Sequence, residues 1–263
     1  MAQLEINYNI SEMANFTDTQ KTKWLLISAP IPVFFISIVY LYIVYIAGPQ
    51  LMKNKQPYSL KTFIQCYNFF QIITNAWLVF NMMTYGKPIT AIWRFCDSLD
   101  ELCDDNSEKV FEILWWTLML KLFDFTETVI FVLRKKDHQI SFLHIYHHVT
   151  TFICNWLGLS YFNYGFLMTI MLLNCSVHVV MYFYYFLSTF GSSMQRFLLI
   201  KKFVTILQMT HIAFIVIISI QGFISSCNTK IMYFSTIILI NGTVNLLFFY
   251  NFFYHSYRKS KTA

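Results

Sequence analysis

The segment Gly165–Phe190, GFLMTIMLLNCSVHVVMYFYYFLSTF, runs for 26 residues without a Lys, Arg, Asp or Glu. At a rise of about 1.5 Å per residue, a helix of that length exceeds the roughly 30 Å hydrocarbon core of a bilayer. Its polar and aromatic residues are ordered. Asn174, His178, Met181, Tyr182 and Tyr185 recur at i, i+4, i+7, i+8 and i+11, along one helical face. Strands of a membrane barrel would alternate over about ten residues between turns, which this chain does not do. The segment predicts a membrane-spanning helix with one polar–aromatic seam.

Six further windows have the same character: Trp24–Ile46, Thr62–Tyr85, Val110–Leu133, Ile140–Gly158, Phe203–Ile224 and Ile231–Tyr254. Across all 263 residues, 57% are hydrophobic and 12% charged, and mean hydropathy is +0.51. A soluble core of this length could not hide so much apolar surface. Only 7 Gly and 5 Pro, with 28 Phe, argue against a loop-rich or disordered chain. A soluble enzyme, a coiled coil and a collagen-like rod are excluded. No internal repeat or linker appears. The expectation is one all-α polytopic membrane domain over 1–263: a tail (1–23), a seven-helix bundle (24–254) and a second tail (255–263).

The net charge of +6 does not point to nucleic acid, because the cations fall in short groups between apolar windows rather than on one basic face. One set of connections holds Lys53, Lys55, Lys61, Arg134, Lys135, Lys136, Arg196, Lys201, Lys202, Arg258, Lys259 and Lys261. The other holds Lys21, Lys23, Lys87, Arg94, Lys109 and Lys230. The richer side is expected to be cytosolic, which leaves the N-terminus lumenal and the C-terminus cytosolic. Sequons at Asn9 and Asn15 in the N-terminal tail agree, whereas Asn241-Gly242-Thr243 lies inside a window and is set aside. Lys259 and Lys261, in Lys-Ser-Lys-Thr-Ala at the end of the sequence, read as a di-lysine signal for retrieval to the endoplasmic reticulum. Cys66, Cys154 and Cys175 fall within windows as packing residues. On the lumenal side a disulfide joining Cys227 to Cys96 or Cys103 is expected, with the partner left open.

Charges within spans cost several kcal/mol by most scales, so they need a partner, a cavity or a function. The third window stacks Lys121, Asp124, Glu127 and Thr128 on one face. The fourth carries His144, His147 and His148 within five residues, and the sixth adds Thr205, Gln208 and His211 at three-residue steps. Counted from the cytosolic ends, Glu127 and His147 lie about 9–10 Å deep, His178 and His211 roughly 12–14 Å, and Lys121 about 18 Å. Unrelated structural polar residues would scatter between leaflets. These converge on one slab, which predicts a buried active site entered from the cytosol.

Three chemistries compete for that slab. A di-iron site of the desaturase type needs roughly eight histidines, and only five of the seven here lie within spans, beside a lysine that repels cations. Metal is therefore disfavoured. A seven-helix receptor or transporter would place its ligand groups in the outer half and would not suit a retrieval signal. Acyl transfer uses what is present: an imidazole to attack a thioester, a neighbouring His as base, and Lys, Asn and Gln donors for developing oxyanions. An alternative within that class passes the acyl chain to an alcohol.

Gln139–His148, QISFLHIYHH, resembles the histidine box of the very-long-chain fatty acid elongase family. Asn174–Tyr185 is similar to that family's NxxxHxxMYxYY motif, and Gly48–Met52, GPQLM, to a recurring segment after the first span. The likeness runs from there to the di-lysine tail. Two positions depart: the family's KxxExxDT stands here as Lys121, Asp124, Glu127 and Thr128 with carboxylate lengths exchanged, and its TxxQxxQ ends at His211, whose role stays open.

The resemblance implies seven helices enclosing a narrow acyl tunnel, and condensation of long-chain acyl-CoA with malonyl-CoA to 3-oxoacyl-CoA, CO2 and CoA. It implies His147 as acyl-accepting nucleophile, oriented by His144 and His148, with His178 acting on malonyl-CoA. Lys121, Asp124 and Glu127 would hold the network, and Asn174, Tyr182, Gln208 and His211 would bind substrate. Arg134, Lys135, Lys136, Lys201 and Lys202 suit CoA phosphates or serve as topology anchors. No cofactor or metal is expected. The implied partners are the two substrates, membrane lipid, and separate reductases and a dehydratase that complete the cycle.

Overall fold

The computed structural model describes residues 24–191, 198–224 and 227–257, and over these the chain is all-helical. The first helix begins later than its window. Ala29 is extended and Pro30 opens the helix, where its missing N–H costs nothing. Helix α1 (Pro30–Tyr42) then passes through a π-turn (Ile43–Ala47) into α2 (Gly48–Met52). Pro49 explains the turn: its ring would crowd the carbonyl four residues back, and one inserted residue relieves this, so that the Gly48 N–H bonds to the Ile43 carbonyl.

There follow α3 (Lys61–Tyr85), the short α4 (Thr90–Trp93) and α5 (Leu99–Cys103), α6 (Ser107–Leu133) and α7 (Phe142–Leu157), which continues as a π-turn (Gly158–Phe162). The chain closes with α8 (Gly165–Ser188), α9 (Leu198–Ser219), the short α10 (Gln221–Ile224) and α11 (Thr229–Tyr257). Among the described residues, four stretches are long and apolar enough to cross a membrane: Pro30–Met52, Gly165–Ser188, Ile200–Ile224 and Thr229–Tyr257. Helices α3 and α6 are as long but carry rows of buried polar side chains, including Gln71, Asn75, Lys121 and Asp124.

Contacts from α3 to α8, α9, α11, α7, α6 and back to α3 close a ring of six helices. The first helix is not a member of that ring, a departure from the expected enclosure by seven. It packs outside, against α6 and α7. Gly48 permits the closest approach, since a Cβ there would lie 2.6 Å from Val132 Cγ1 on α6. Ring packing without α1 follows from composition: α1 has few inward polar groups to satisfy, whereas α3, α6, α7, α8 and α9 must share theirs.

At the end predicted to be lumenal, the connections are cross-tied. Indole N–H groups of Trp115 and Trp156 donate to the carbonyls of Leu25 and Leu26, and the Ser160 hydroxyl donates to that of Ile27. Cys227 pairs with Cys96, whose Cα lies 5.3 Å away, so the open choice of partner is settled. Cys103 is a free, buried thiol whose pKa burial pushes up, which makes it unreactive. Ser98 and Glu101 form a capping box at α5. The sequons at Asn9 and Asn15, Lys21, Lys23, Arg196, Arg258 and the di-lysine pair Lys259 and Lys261 lie outside the described residues.

Candidate active site

Ser141 caps α7, its hydroxyl accepting the His144 N–H at 3.2 Å, and this places the histidine box in the first two turns. His144 Nε2 lies 2.8 Å from the Thr128 hydroxyl, which lies 2.8 Å from the Tyr40 hydroxyl. The His144 and His148 rings meet in a tilted contact, with 4.2 Å between centroids and 44° between planes. His148 Nε2 is 3.7 Å from Glu127 Oε2, which also accepts the Tyr182 hydroxyl at 3.5 Å. His147 makes ring contacts with His148 and Phe249, and no hydrogen bond to its imidazole is present among the described residues. Its imidazole is therefore free of the polar neighbours that His144 has in Thr128 and His148 has, at longer range, in Glu127.

From α6, Lys121 Nζ donates to Asp124 Oδ2 at 3.1 Å and lies 3.4 Å from His178 Nδ1 on α8. An ammonium has no lone pair, so Nδ1 accepts and neutral His178 carries its proton on Nε2. Lys121 and Asp124 are 3% and 2% exposed. The long lysine side chain explains how a residue set deeper in the bundle meets His178 at its own level.

A cavity of about 1110 Å³ collects these histidines and Glu127, whereas Lys121 and Asp124 are not among its lining residues. Glu127, His144, His147, His148, His178 and His211 line it, as do Tyr182 and Gln208. Arg134, Lys135, Lys136 and Lys201 also line it, toward the exposed 53–60 and 134–141 connections. Lys202 does not; its ammonium sits over the Phe253 ring at 5.8 Å. His147 and His211 also line a second chamber of about 70 Å³, together with Lys121, Asn174 and Asn245. The far wall of that chamber is apolar, with Cys154, Leu167, Ile170 and Ile238. Asn174 thus belongs to the inner chamber, and His211 stands where the two spaces meet. Asn174 Oδ1, His211 Nδ1 and Asn245 Oδ1 are buried without a partner among the described residues.

The turn after α6 sets the mouth. Lys135 adopts a left-handed conformation (φ 52°), and the N–H groups of Lys135 and Lys136 bond to the carbonyls of Val132 and Phe131. This closes the helix in a Schellman motif, with lysine at a position glycine would favour.

Sequence comparison agrees with this geometry. Residues 25–263 match the model of the ELO: GNS1/SUR4 family. The chain belongs to that family of very-long-chain fatty acid elongases. It is 33% identical over 251 residues to very long chain fatty acid elongase 1 of Mus musculus and 34% identical to its Homo sapiens counterpart. In both cases the match covers 95% of this chain and 90% of the relative. Very long chain fatty acid elongase 7 of Rattus norvegicus is 34% identical over 245 residues, covering 93% and 87%.

Within this elongase-family chain, the exchanged carboxylates have distinct partners. The shorter Asp124 meets Lys121 within a turn, while the longer Glu127 reaches across to Tyr182 and His148. Gln71 of α3, not singled out from sequence, donates its amide to Asp124 Oδ1 at 2.6 Å. Tyr67, Gln71 and Asn75 form a polar stripe at four-residue spacing that the sequence displays but that, without α6 opposite, reads as interhelical packing. Glu127, His144 and His148 place ligand atoms within 4.8 Å of one another, a spacing a divalent cation could bridge. His144 Nε2 is meanwhile engaged by Thr128.

Proposed function

We propose that the chain condenses a long-chain acyl-CoA with malonyl-CoA to 3-oxoacyl-CoA, CO2 and CoA, the first step of fatty acid elongation. One observation carries this reading: the histidine box of α7 and His178 of α8 line a single cavity beside a narrow, apolar-ended chamber. Membership of the elongase family supports it.

His147 attacks the thioester carbonyl; the C–S bond breaks, and the imidazole proton leaves with CoA as the thiol. His144 and His148, tied to Thr128 and set beside Glu127, hold the box in register. The acyl chain enters the chamber toward Cys154 and Ile238, and burial keeps water from the acyl-imidazole. Malonyl-CoA then loses CO2; the resulting enolate attacks the acyl carbon, the C–N bond breaks, and His147 regains a proton from solvent. Fixed donors steady both oxyanions: His178 Nε2–H, Asn174 and Gln208. Arg134, Lys135, Lys136 and Lys201 receive CoA phosphates at the mouth. His211, between the two spaces, contacts the acyl neck.

The site works without metal or cofactor. All seven long helical segments cross the endoplasmic reticulum membrane, with the N-terminus lumenal and glycosylated at Asn9 and Asn15. Lys259 and Lys261 act as the retrieval signal. Separate reductases and a dehydratase process the product.

Purified protein incubated with acyl-CoA and carboxyl-labelled malonyl-CoA tests the reaction. Release of labelled CO2 with gain of two carbons is expected; acyl transfer to an alcohol without malonyl-CoA would overturn it. Mass spectrometry without malonyl-CoA should find an acyl adduct on His147, and a His147→Ala variant that still forms a stable adduct removes that residue as nucleophile.

A further inference from the structure

Helix α1 lies outside the ring, yet one of its side chains reaches the histidine box. The Tyr40 ring stacks on Phe125 of α6, with 4.1 Å between centroids and 14° between planes. That contact carries the phenol inward, where Tyr40 is buried. It sets the hydroxyl 2.8 Å from Thr128 Oγ1, one turn along α6. Thr128 is fully buried, and its oxygen lies 2.8 Å from His144 Nε2 on α7. Helices α1, α6 and α7 thus meet through a pair of short hydrogen bonds.

Counting protons fixes the direction of both bonds. Thr150 and Thr151 turn their hydroxyls back onto carbonyls of their own helix, whereas Thr128 makes no such bond among the described residues. Its single proton therefore goes to Tyr40 or to His144. Thr128 is the hydrogen-bond partner of the Tyr40 hydroxyl, and no other is found among the described residues. If Thr128 donated to Tyr40, the phenol proton would be stranded beside Phe125 at the full desolvation penalty of a buried donor. Tyr40 therefore donates to Thr128, Thr128 donates to His144 Nε2, and neutral His144 keeps its proton on Nδ1.

We infer that Tyr40 is a positioning residue, through which the peripheral helix α1 holds His144 in its Nδ1–H tautomer. A ring bonded in this way does not flip. Its Nε2 is pinned to α6, and it also contacts Phe131 and His148, at 5.4 and 4.2 Å between centroids. His148 stands beside Glu127 and follows His147 in the chain, so the order of the box begins at Tyr40. The catalytic consequence rests on the reading of the cavity as the condensing site; the tautomer does not.

Tyr40→Phe keeps the stacking on Phe125 and removes only the hydroxyl. Without the phenol proton, Thr128 can accept as well as donate, and both tautomers of His144 become available. The variant should lower kcat about 2- to 10-fold, the scale of one neutral hydrogen bond, with KM for both CoA substrates unchanged. Thr128→Val should lower kcat further. Thr128→Ser, which keeps the hydroxyl, should retain most of the activity that Thr128→Val loses. Tyr40→Phe/Thr128→Val should turn over no more slowly than Thr128→Val, because the second change cuts a chain already cut. It should also melt higher than Thr128→Val, since no phenol proton is left stranded.

Nitrogen NMR of isotopically labelled histidine rings, assigned with a His144→Gln variant, reads the tautomer without turnover. Wild type should show His144 protonated on Nδ1, and Tyr40→Phe should shift the proton toward Nε2. A wild-type His144 protonated on Nε2 overturns the inference. So does a Tyr40→Phe kcat equal to wild type, or a loss that multiplies with that of Thr128→Val. Wild-type turnover of acyl-CoA and malonyl-CoA in the same preparation tests the condensation reading separately. If wild type does not elongate, that reading falls and the spectra alone decide the role of Tyr40.

Discussion

Replacing Lys121 with Met removes one member of a buried ion pair and leaves Asp124 charged, 2% exposed, in the bundle interior. Among the described residues, the side-chain hydrogen bond left to that carboxylate is the one from Gln71. Breaking such a pair from one side costs about 3–5 kcal/mol, because the abandoned charge keeps its desolvation penalty. For a chain of this size that corresponds to a fall in melting temperature on the order of 10 °C. Lys121→Met/Asp124→Asn carries no stranded charge, and the amide oxygen introduced at position 124 can still accept from Gln71. The double variant should therefore recover most of the stability lost by Lys121→Met. Its elongation activity should not return, because His178 Nδ1 has lost the donor that fixes its tautomer. Thermal unfolding in detergent, set beside CO2 release, separates the two effects. A Lys121→Met protein that melts like wild type, or a double variant whose loss is the sum of both singles, would refute the buried-pair account.

Lys135→Gly should raise stability slightly, by up to about 1–2 kcal/mol, since glycine enters the left-handed region freely. The same change should raise KM for acyl-CoA, because a cation leaves the cavity mouth. Cys227→Ser opens a covalent link between residues 131 positions apart, worth at most about 5 kcal/mol in the chain-entropy account. Non-reducing gel mobility and melting temperature should both change, and Cys103→Ala should alter neither the disulfide nor the gel pattern. The Ser98 backbone N–H and hydroxyl hold the Glu101 carboxyl below its usual range. Its stabilising contribution is thus complete above about pH 4.5 and lost as pH falls through the lowered folded value; Glu101→Gln should flatten that acid dependence in hydrogen exchange at residues 97–104. Extensive chelation should leave turnover unchanged, and activity that vanishes with EDTA and returns with one metal would reassign Glu127, His144 and His148 as ligands.

The all-helical membrane character and many of the polar groups that line the cavity were legible in the chain itself, because both depend on local chemistry. An uncharged run such as Gly165–Phe190 has few alternatives to spanning a bilayer, and three histidines within five residues are conspicuous wherever they fold. Helix starts were less legible: the first window opens at Trp24 rather than Pro30, because hydropathy does not register an extended Ala29, and the fourth opens at Ile140, just before the Ser141 cap.

What remained hidden is relational. Cys96 was chosen over Cys103 by the packing of α5 and the connection before α11. The first helix lies outside the ring because helices with polar faces satisfy one another first. Gln71 is one amide among several on α3 until α6 brings Asp124 within 2.6 Å. A pattern along one helix reveals which face is polar, but which helix meets that face, and at what height, is fixed only when all the rods pack together. The meaning of a buried polar side chain is therefore set by its neighbour across the interface rather than by its neighbours in the chain.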